Sequence, residues 1–398
     1  MADPPKDVVV LGAGIAGAAL TDHLAKRSLN VALIDPRTPA AGASGRAAGI
    51  VTEQLWNPWD VAVTRESREE YRELAAAKEP EAFVDAPFVR LTSEAEVATA
   101  LRAAVERLRG WGVSVEELGA EELRRWFPNG RFERLAGAIA SDSDACVTPS
   151  TITSLYLARA RGRGADAAFG GHVDVPTFSD GLWTVQAGES RWHARALVVA
   201  AGAWSKRLLR DLGHPLPLTP YRTQAAVLRP PGSHSLGGGA SLHDLDTDVY
   251  ARPEVNGRIL AGDGTEKFET DPDRFVTGAD SEFLAHLAGS LGRWVPEWET
   301  SEVVGAWAGV CTATPDRRPC IGALDPSSGL YVLTGFNGFG VMRAGGAARR
   351  LADLIAAPAS ESARAALVPV RPDRFGGKAE PFPPRAGFTL EGGSHPRF

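Results

Sequence analysis

Four consecutive apolar residues, Val8-Val9-Val10-Leu11, run straight into Gly12-Ala13-Gly14-Ile15-Ala16-Gly17. An unbroken apolar run of that length reads as a strand covered on both faces. Ala18, Ala19, Leu20 and Leu24 then recur at helical spacing, and a second apolar run, Val31 to Ile34, ends in Asp35. Strand, glycine turn, helix, strand and acidic residue in this order leave few folds open. Gly12 permits the tight turn, Gly14 keeps a Cβ out of the path of a pyrophosphate, and Gly17 lets helix and strand pack closely. The first N–H groups of the helix have no partner inside it, and its dipole favours negative charge there. Asp35 falls near the ~20-residue spacing at which a carboxylate meets an adenosine ribose. The stretch predicts an α/β dinucleotide-binding unit.

A chain of 398 residues is too long for one small core, so two domains are expected. The net charge of −6 argues against nucleic acid or anionic lipid as a partner. No apolar run approaches the ~18 residues of a membrane span. No basic, apolar and cleavage pattern of a leader precedes the first strand, so a cytoplasmic location is expected. Cys146, Cys311 and Cys320 form no C-x-x-C pair and read as packed thiols. The eight histidines lack ligand spacing, and no metal is expected.

Farther along, Pro36-Arg37-Thr38-Pro39 is a turn, and Ala41 to Gly49 is rich in small residues that let backbone approach a flat ligand. Residues 61–78, 94–109, 120–128, 151–160 and 279–292 read as helices. Phe83 to Leu91 and His172 to Val175 read as strands, and Leu182 to Gln186 with Trp192 to Ala196 as a hairpin. Leu197 to Gly202 is a second buried strand; it opens into Ala203-Trp204-Ser205, so Ala201, Gly202 and Trp204 can face a dinucleotide. Thr223–Leu228, Asp248–Arg252 and Arg258–Gly262 alternate like antiparallel strands, with Asn256-Gly257 as a hairpin turn. Residues 232–240 form a glycine- and serine-rich loop, expected as a lid. Val303 to Val310 is a further strand. Tyr331 to Thr334 enters Gly335-Phe-Asn-Gly-Phe-Gly340 and a small-residue helix, a second glycine-rich strand-turn-helix. The tail from Pro369 is expected as an extended or disordered arm.

Over residues 7 to 356 these stretches resemble the D-amino-acid-oxidase-like flavoproteins, in the branch of glycine oxidase, sarcosine oxidase or dehydrogenase, and D-amino-acid dehydrogenase. Besides the opening fingerprint, the resemblance is carried by Gly42-Ala-Ser-Gly-Arg-Ala-Ala-Gly49, Ala200-Ala-Gly-Ala-Trp-Ser205 and Val249-Tyr-Ala-Arg-Pro253. It continues through Trp307-Ala-Gly309, Thr314-Pro-Asp-Arg-Arg-Pro-Cys-Ile-Gly322 and Gly335 to Gly340. It implies an α/β (α+β) fold: a Rossmann-like FAD-binding domain (1–82, 145–215 and 300–368) with a discontinuous antiparallel-sheet substrate domain (83–144 and 216–299). It implies FAD on Gly12 to Gly17, Asp35, Pro36, Arg37, Ala43, Ser44, Arg46, Ala47, Ala48, Gly49, Ile50 and Val173. The cofactor's polar edge is expected at Gly338, Phe339, Gly340, Val341 and Met342. The implied chemistry is hydride transfer from an amine-bearing carbon to flavin N5, giving an imine, with oxygen or an electron carrier as final acceptor. Tyr250, Arg252 and Asn337 are the expected catalytic residues, and Gln54, Trp56, Arg46, Tyr250, Cys311 and Phe339 the expected substrate contacts.

The chain also departs from that pattern. Where the branch places two carboxylate-clamping arginines, this sequence has Cys311 and Gly338. Either Arg46, Arg252 or Arg343 substitutes for them, or the substrate is bulkier or less acidic than a simple amino acid. Non-covalent FAD is expected, with attachment through Cys311 as the alternative. Oxidation of a 2-hydroxy acid, or service as the flavoprotein subunit of a dehydrogenase complex, are the competing functions. Oligomeric state is left open.

Overall fold

The computed structural model describes residues 4–231, 239–264, 267–268 and 270–376. Most of the 232–240 loop and the tail beyond 376 lie outside the described residues.

The first apolar run forms the strand Lys6–Leu11, with Val8, Val9 and Val10 at most 1% exposed. It sits inside a parallel array in the order Asp166–Phe169, Val31–Asp35, Lys6–Leu11, Ser190–Val199, Leu330–Thr334, which the antiparallel Cys320–Asp325 extends. Full burial of the central strands requires cover on both faces. Helices Ile15–Lys26, Pro58–Lys78, Pro149–Gly162 and Gly340–Ala356 supply one side, where Leu20, Tyr71, Ile152 and Leu351 meet Val8 and Val10. A Cβ on Gly17 would stand 1.9 Å from the Gly12 carbonyl oxygen, so only glycine lets the first helix lie this close to the turn before it.

The meander Thr177–Ser179, Leu182–Ala187 joins the sheet through the outer half of Ser190–Val199. The two strands expected at Trp192–Ala196 and Leu197–Gly202 are one strand, Ser190–Val199, followed by a turn. Its first half is largely exposed at the meander and its second half is a buried run in the core, so the change of pattern marks a change of surroundings, not a chain break.

A second, mostly antiparallel sheet runs Lys267–Phe268, Thr219–Arg229, Ile259–Asp263, Val249–Pro253, Ser241–Asp244, Phe88–Thr92, Gly137–Ser141, Glu116–Glu117, with Glu302–Ala313 along the other side of Thr219–Arg229. Helix Ser281–Trp294 covers one face through Phe283, Leu287, Leu291 and Trp294. The opposite face roofs the site described below. The expected hairpin is present, with Asn256 at φ 60° and Gly257 at φ 70°.

Several expectations need correction. Phe83–Leu91 is two strands in two sheets, Phe83–Asp85 and Phe88–Thr92, because Pro87 interrupts the run. Residues 172–175 contribute only a bridge from Val173 to Ala187. The helix at 120–128 covers only Ala120–Leu123. Residues 369–376 are no free arm: Val370 is 1% exposed, and Arg374 pairs with Asp316 at 2.7 Å.

Candidate functional site

A cavity of about 1580 Å³ lies between the ends of the parallel strands and the roof sheet. Drug-sized ligands occupy ~300–1,000 Å³, so this one has room for a dinucleotide and a small second molecule. At one end the first glycine turn and the end of Val31–Asp35 meet. The Asp35 carboxylate accepts from Ala13 N and Arg37 N, each at 2.8 Å, which locks the turn against the second strand. Ser44 Oγ accepts from Ile15 N at 3.0 Å, seating the small-residue segment on the start of the first helix. Arg37 stacks on Trp204 at 3.7 Å, and Val173, Ala201 and Gly202 complete this end of the wall.

Ala43, Arg46, Ala47, Ala48, Gly49 and Ile50 line the middle, and Gly338, Phe339, Gly340, Val341 and Met342 the far floor. Arg46 donates to the Ala41 and Gly42 carbonyls, while its own carbonyl accepts from Trp307 Nε1 at 3.0 Å. Asn337 borders the cavity, but its amide is committed to the loop. Its Oδ1 accepts from Thr314 N at 2.9 Å and its Nδ2 donates to the Gly335 carbonyl at 2.6 Å. That pins the Gly335–Gly340 loop and makes Asn337 a positioning residue in place of the expected catalytic one.

From the roof, Tyr221, Tyr250 and Cys311 face inward. Tyr250 leans across Gly262, where any Cβ would stand 2.2 Å from the phenol oxygen. Burial, with the nearby charges of Asp263, Cys311 and Asp248, raises the Tyr250 phenol well above its ordinary value and keeps it protonated. Cys311 is half-buried at the cavity wall, unlike Cys146 and Cys320, which are fully packed. The Tyr221 hydroxyl stands over Gly338, 2.9 Å from where a Cβ would be, and so fills the place of the second expected arginine.

Five of the expected contacts are not on the cavity wall. Ala13 and Gly17 act within the turn. Gln54 is 1% exposed and donates to the Phe88 carbonyl at 2.6 Å and to Asp144 at 3.1 Å. Trp56 packs edge-on against Phe339, with ring centres 4.9 Å apart. Arg252 donates to the Ala48 carbonyl and pairs with Glu254, holding the small-residue segment from above. Arg343 is wholly buried 3.1 Å from Asp60, with Phe339 between it and the cavity. Burial lowers the Arg343 pKa and raises that of Asp60, so each needs the other. Neither Arg252 nor Arg343 replaces the absent clamp.

Sequence reasoning missed Tyr221, Arg90, His243 and Asp263, all on the cavity wall. Arg90 carried a signal: a charged residue inside the apolar run Phe88 to Leu91 is rarely buried without a purpose. Beneath it Asp144 accepts from Glu53 N at 2.9 Å, Thr52 Oγ1 at 3.0 Å and Gln54 Nε2. Burial outweighs these bonds and raises its carboxyl to about 7.

A glycine turn on a strand end, a carboxylate at the next strand and one continuous cavity under an antiparallel roof define a dinucleotide-dependent oxidoreductase. The family model described as DAO, FAD dependent oxidoreductase, matches residues 7–354, and the chain belongs to that family. It is 29% identical to glycine oxidase of Geobacillus kaustophilus (strain HTA426), covering 88% of this chain and 92% of that one. It is 24% identical to human mitochondrial dimethylglycine dehydrogenase, of which it spans 42% while 88% of this chain is matched. Among solved structures, L-proline dehydrogenase from P. horikoshii superposes with a TM-score of 0.84 at 22% identity, covering 94% of this chain and 99% of that chain. Glycine oxidase from Geobacillus kaustophilus superposes with a TM-score of 0.82 at 24% identity, with the same coverage. The cofactor of this family is FAD, and the cavity's volume of about 1580 Å³, with Gly14, Asp35 and Trp204 on its wall, fits that molecule. No described helix is long and apolar enough to cross a membrane.

Proposed function

We propose that the chain oxidises an amine or amino acid, a secondary amine or D-amino acid, to an imine that water then hydrolyses. The observation behind this is the juxtaposition of Tyr250, Tyr221 and Cys311 in the roof with the Gly338–Met342 loop across one cavity. Bound FAD supplies the two-electron acceptor for the substrate's hydride. The protein's own task is orientation. Tyr250, held protonated, offers its hydroxyl hydrogen to the substrate, and its ring fixes the height of the substrate above the floor. Backbone at the start of helix Gly340–Ala356 presents positive dipole to the far floor, suited to charge that develops there. An amine that arrives neutral needs no protein base.

In this reading segments 1–82, 145–215 and 300–368 hold FAD, and 83–144 and 216–299 form the substrate roof. The lining residues from Gly12 to Ile50, Val173 and Gly338 to Met342 are its cofactor contacts. FAD is held non-covalently, with a Cys311 linkage as the alternative. Oxygen or an electron carrier accepts the electrons, and the location is cytoplasmic.

The test is anaerobic mixing of the yellow protein with amines, N-methyl and cyclic amino acids, D-amino acids and 2-hydroxy acids. Bleaching by amines supports the reading. Bleaching by hydroxy acids alone, or only after a partner protein is added, replaces it. Yellow colour in an acid-precipitated pellet that is lost in Cys311→Ser identifies a covalent link.

A further inference from the structure

The cavity does not end beneath Tyr250. Strand register pairs Tyr250 with His243, and His243 with Arg90. At ~4.8 Å per strand, the ceiling runs ~10 Å past Tyr250. Residues of both further strands, of the turn after Asp244 and of the start of helix Ala95–Gly110 line this arm. Buried Phe88, Val97 and Leu245 give it apolar walls, and Met342 adds to them from the floor loop. Val97 and Leu245 belong to the same packed cluster as Leu55 and Leu101, and Met342 lies against that cluster, so the walls are backed by core.

The charges along the arm are already matched. Asp144 and Asp248 act on Arg90, which also lies over Phe88, 5.5 Å from the ring centre. Asp248 holds His243 Nε2 at 2.9 Å, and Arg293 pairs with Asp244 at 3.3 Å and Asp246 at 3.1 Å. A charged guest would give up its water and disturb these pairs, whereas an apolar one gains from the walls. Nearer the reacting end, the two places where the resemblance implies a carboxylate clamp hold Cys311 and the Tyr221 hydroxyl over Gly338. At the outer end Glu94 and Arg293 line the cavity and are exposed, so the arm opens to solvent there.

We propose that this arm seats an uncharged apolar substituent of the substrate. The favoured substrate is then a secondary amine bearing an alkyl or alicyclic group of several carbons, and not a short amino acid. Val97 and Leu245 set that preference. This rests on the amine-oxidation reading, with the reacting carbon between Tyr250 and the Gly338–Met342 loop.

Methyl ethers serve as probes, since an ether oxygen in place of the nitrogen cannot form an imine. Binding of 1-methoxypropane, 1-methoxyhexane and 4-methoxybutanoate to the FAD-loaded protein is read from the flavin absorbance. The hexyl ether is expected to bind at least ~20-fold more tightly than the propyl ether, at up to ~4-fold per added CH₂. The acid, which is the propyl ether with a carboxylate on its end, is expected to bind ~10-fold more weakly than that ether. Val97→Phe, which fills the arm, is expected to abolish the gain with chain length and leave the propyl ether within ~3-fold. Leu245→Ala is expected to weaken the hexyl ether by ~5-fold or more. Equal affinity for the two chain lengths, tighter binding of the acid, a gain untouched by both variants, or no spectral response to any ether overturns the proposal. Where Val97→Phe does not retain flavin, the wild-type series and Leu245→Ala decide. A chain-length gain that Leu245→Ala reduces, without bleaching by N-methylhexylamine or any other amine, leaves the arm standing and removes the amine reading. Bleaching by amines with no chain-length gain among the ethers does the reverse.

Discussion

Asp144 is a buried carboxylate and Glu70 a half-buried one, and their surroundings push them in opposite directions. Burial raises Asp144 to about 7, above the ordinary 3.8, because the hydrogen bonds it accepts do not offset desolvation. The folded chain therefore holds a proton that the unfolded chain releases. The stabilisation is complete below about pH 4 and is lost as pH rises to about 7, amounting to about 4 kcal/mol. Asparagine imitates the neutral acid, so Asp144→Asn is expected to flatten the fall in stability between pH 4.5 and 8 in urea unfolding. For Glu70, burial pushes upward too, but hydrogen bonds from His23 and Tyr156 and the charge of Arg159 overcome it and take the carboxyl to about 2. Its contribution is present above pH 4.5 and disappears as pH falls toward 2. Glu70→Gln is expected to cost about 3 kcal/mol at pH 7 and little near pH 2, measured the same way. Asp22, His23 and Glu70 converge within 4.8 Å, a cluster with metal-ligating atoms, but Arg159 and Arg163 already supply positive charge to its carboxylates.

Helix Gly340–Ala356 carries the last glycine-rich turn, and its position follows from contact with helix Pro58–Lys78. Gly346 N donates to Ser67 Oγ at 2.9 Å, and a Cβ on Gly346 would stand 2.5 Å from the Val63 carbonyl oxygen. Backbone rather than a flexible side chain meets the added atom, so the helices must separate. Gly346→Ala is expected to destabilise by about 1–3 kcal/mol and to weaken FAD retention, because the Gly338–Met342 loop moves with the helix; unfolding and flavin release on dilution check both. Periodicity made these helices readable, since each buries one stripe. Gly137–Ser141 and Ser241–Asp244 escaped because their small and polar residues carry little strand propensity, and pairing with Phe88–Thr92 makes them strands.

The cavity belongs to both sheets and is closed by segments far apart in the chain. A cofactor that spans it ties those segments together in the folded state alone. Removal of FAD is expected to lower the thermal midpoint, and added FAD to restore it with saturation, worth about 2.7 kcal/mol at a hundredfold excess over Kd. A midpoint indifferent to FAD would detach the cavity from the cofactor.

What the linear order of residues determined was the local grammar: the Gly12–Gly17 turn and Asp35, the small-residue segment, the late phenylalanine–glycine loop and the alternating roof strands. Each depends on neighbours within a few positions, where sterics and periodicity act. What only the tertiary structure decided was where side chains point. Arg252, Gln54 and Arg343 turned from the expected site to neighbouring carbonyls and carboxylates, because a buried polar group takes the nearest partner. Arg90 and Tyr221 entered the site through strand register, which no local pattern records.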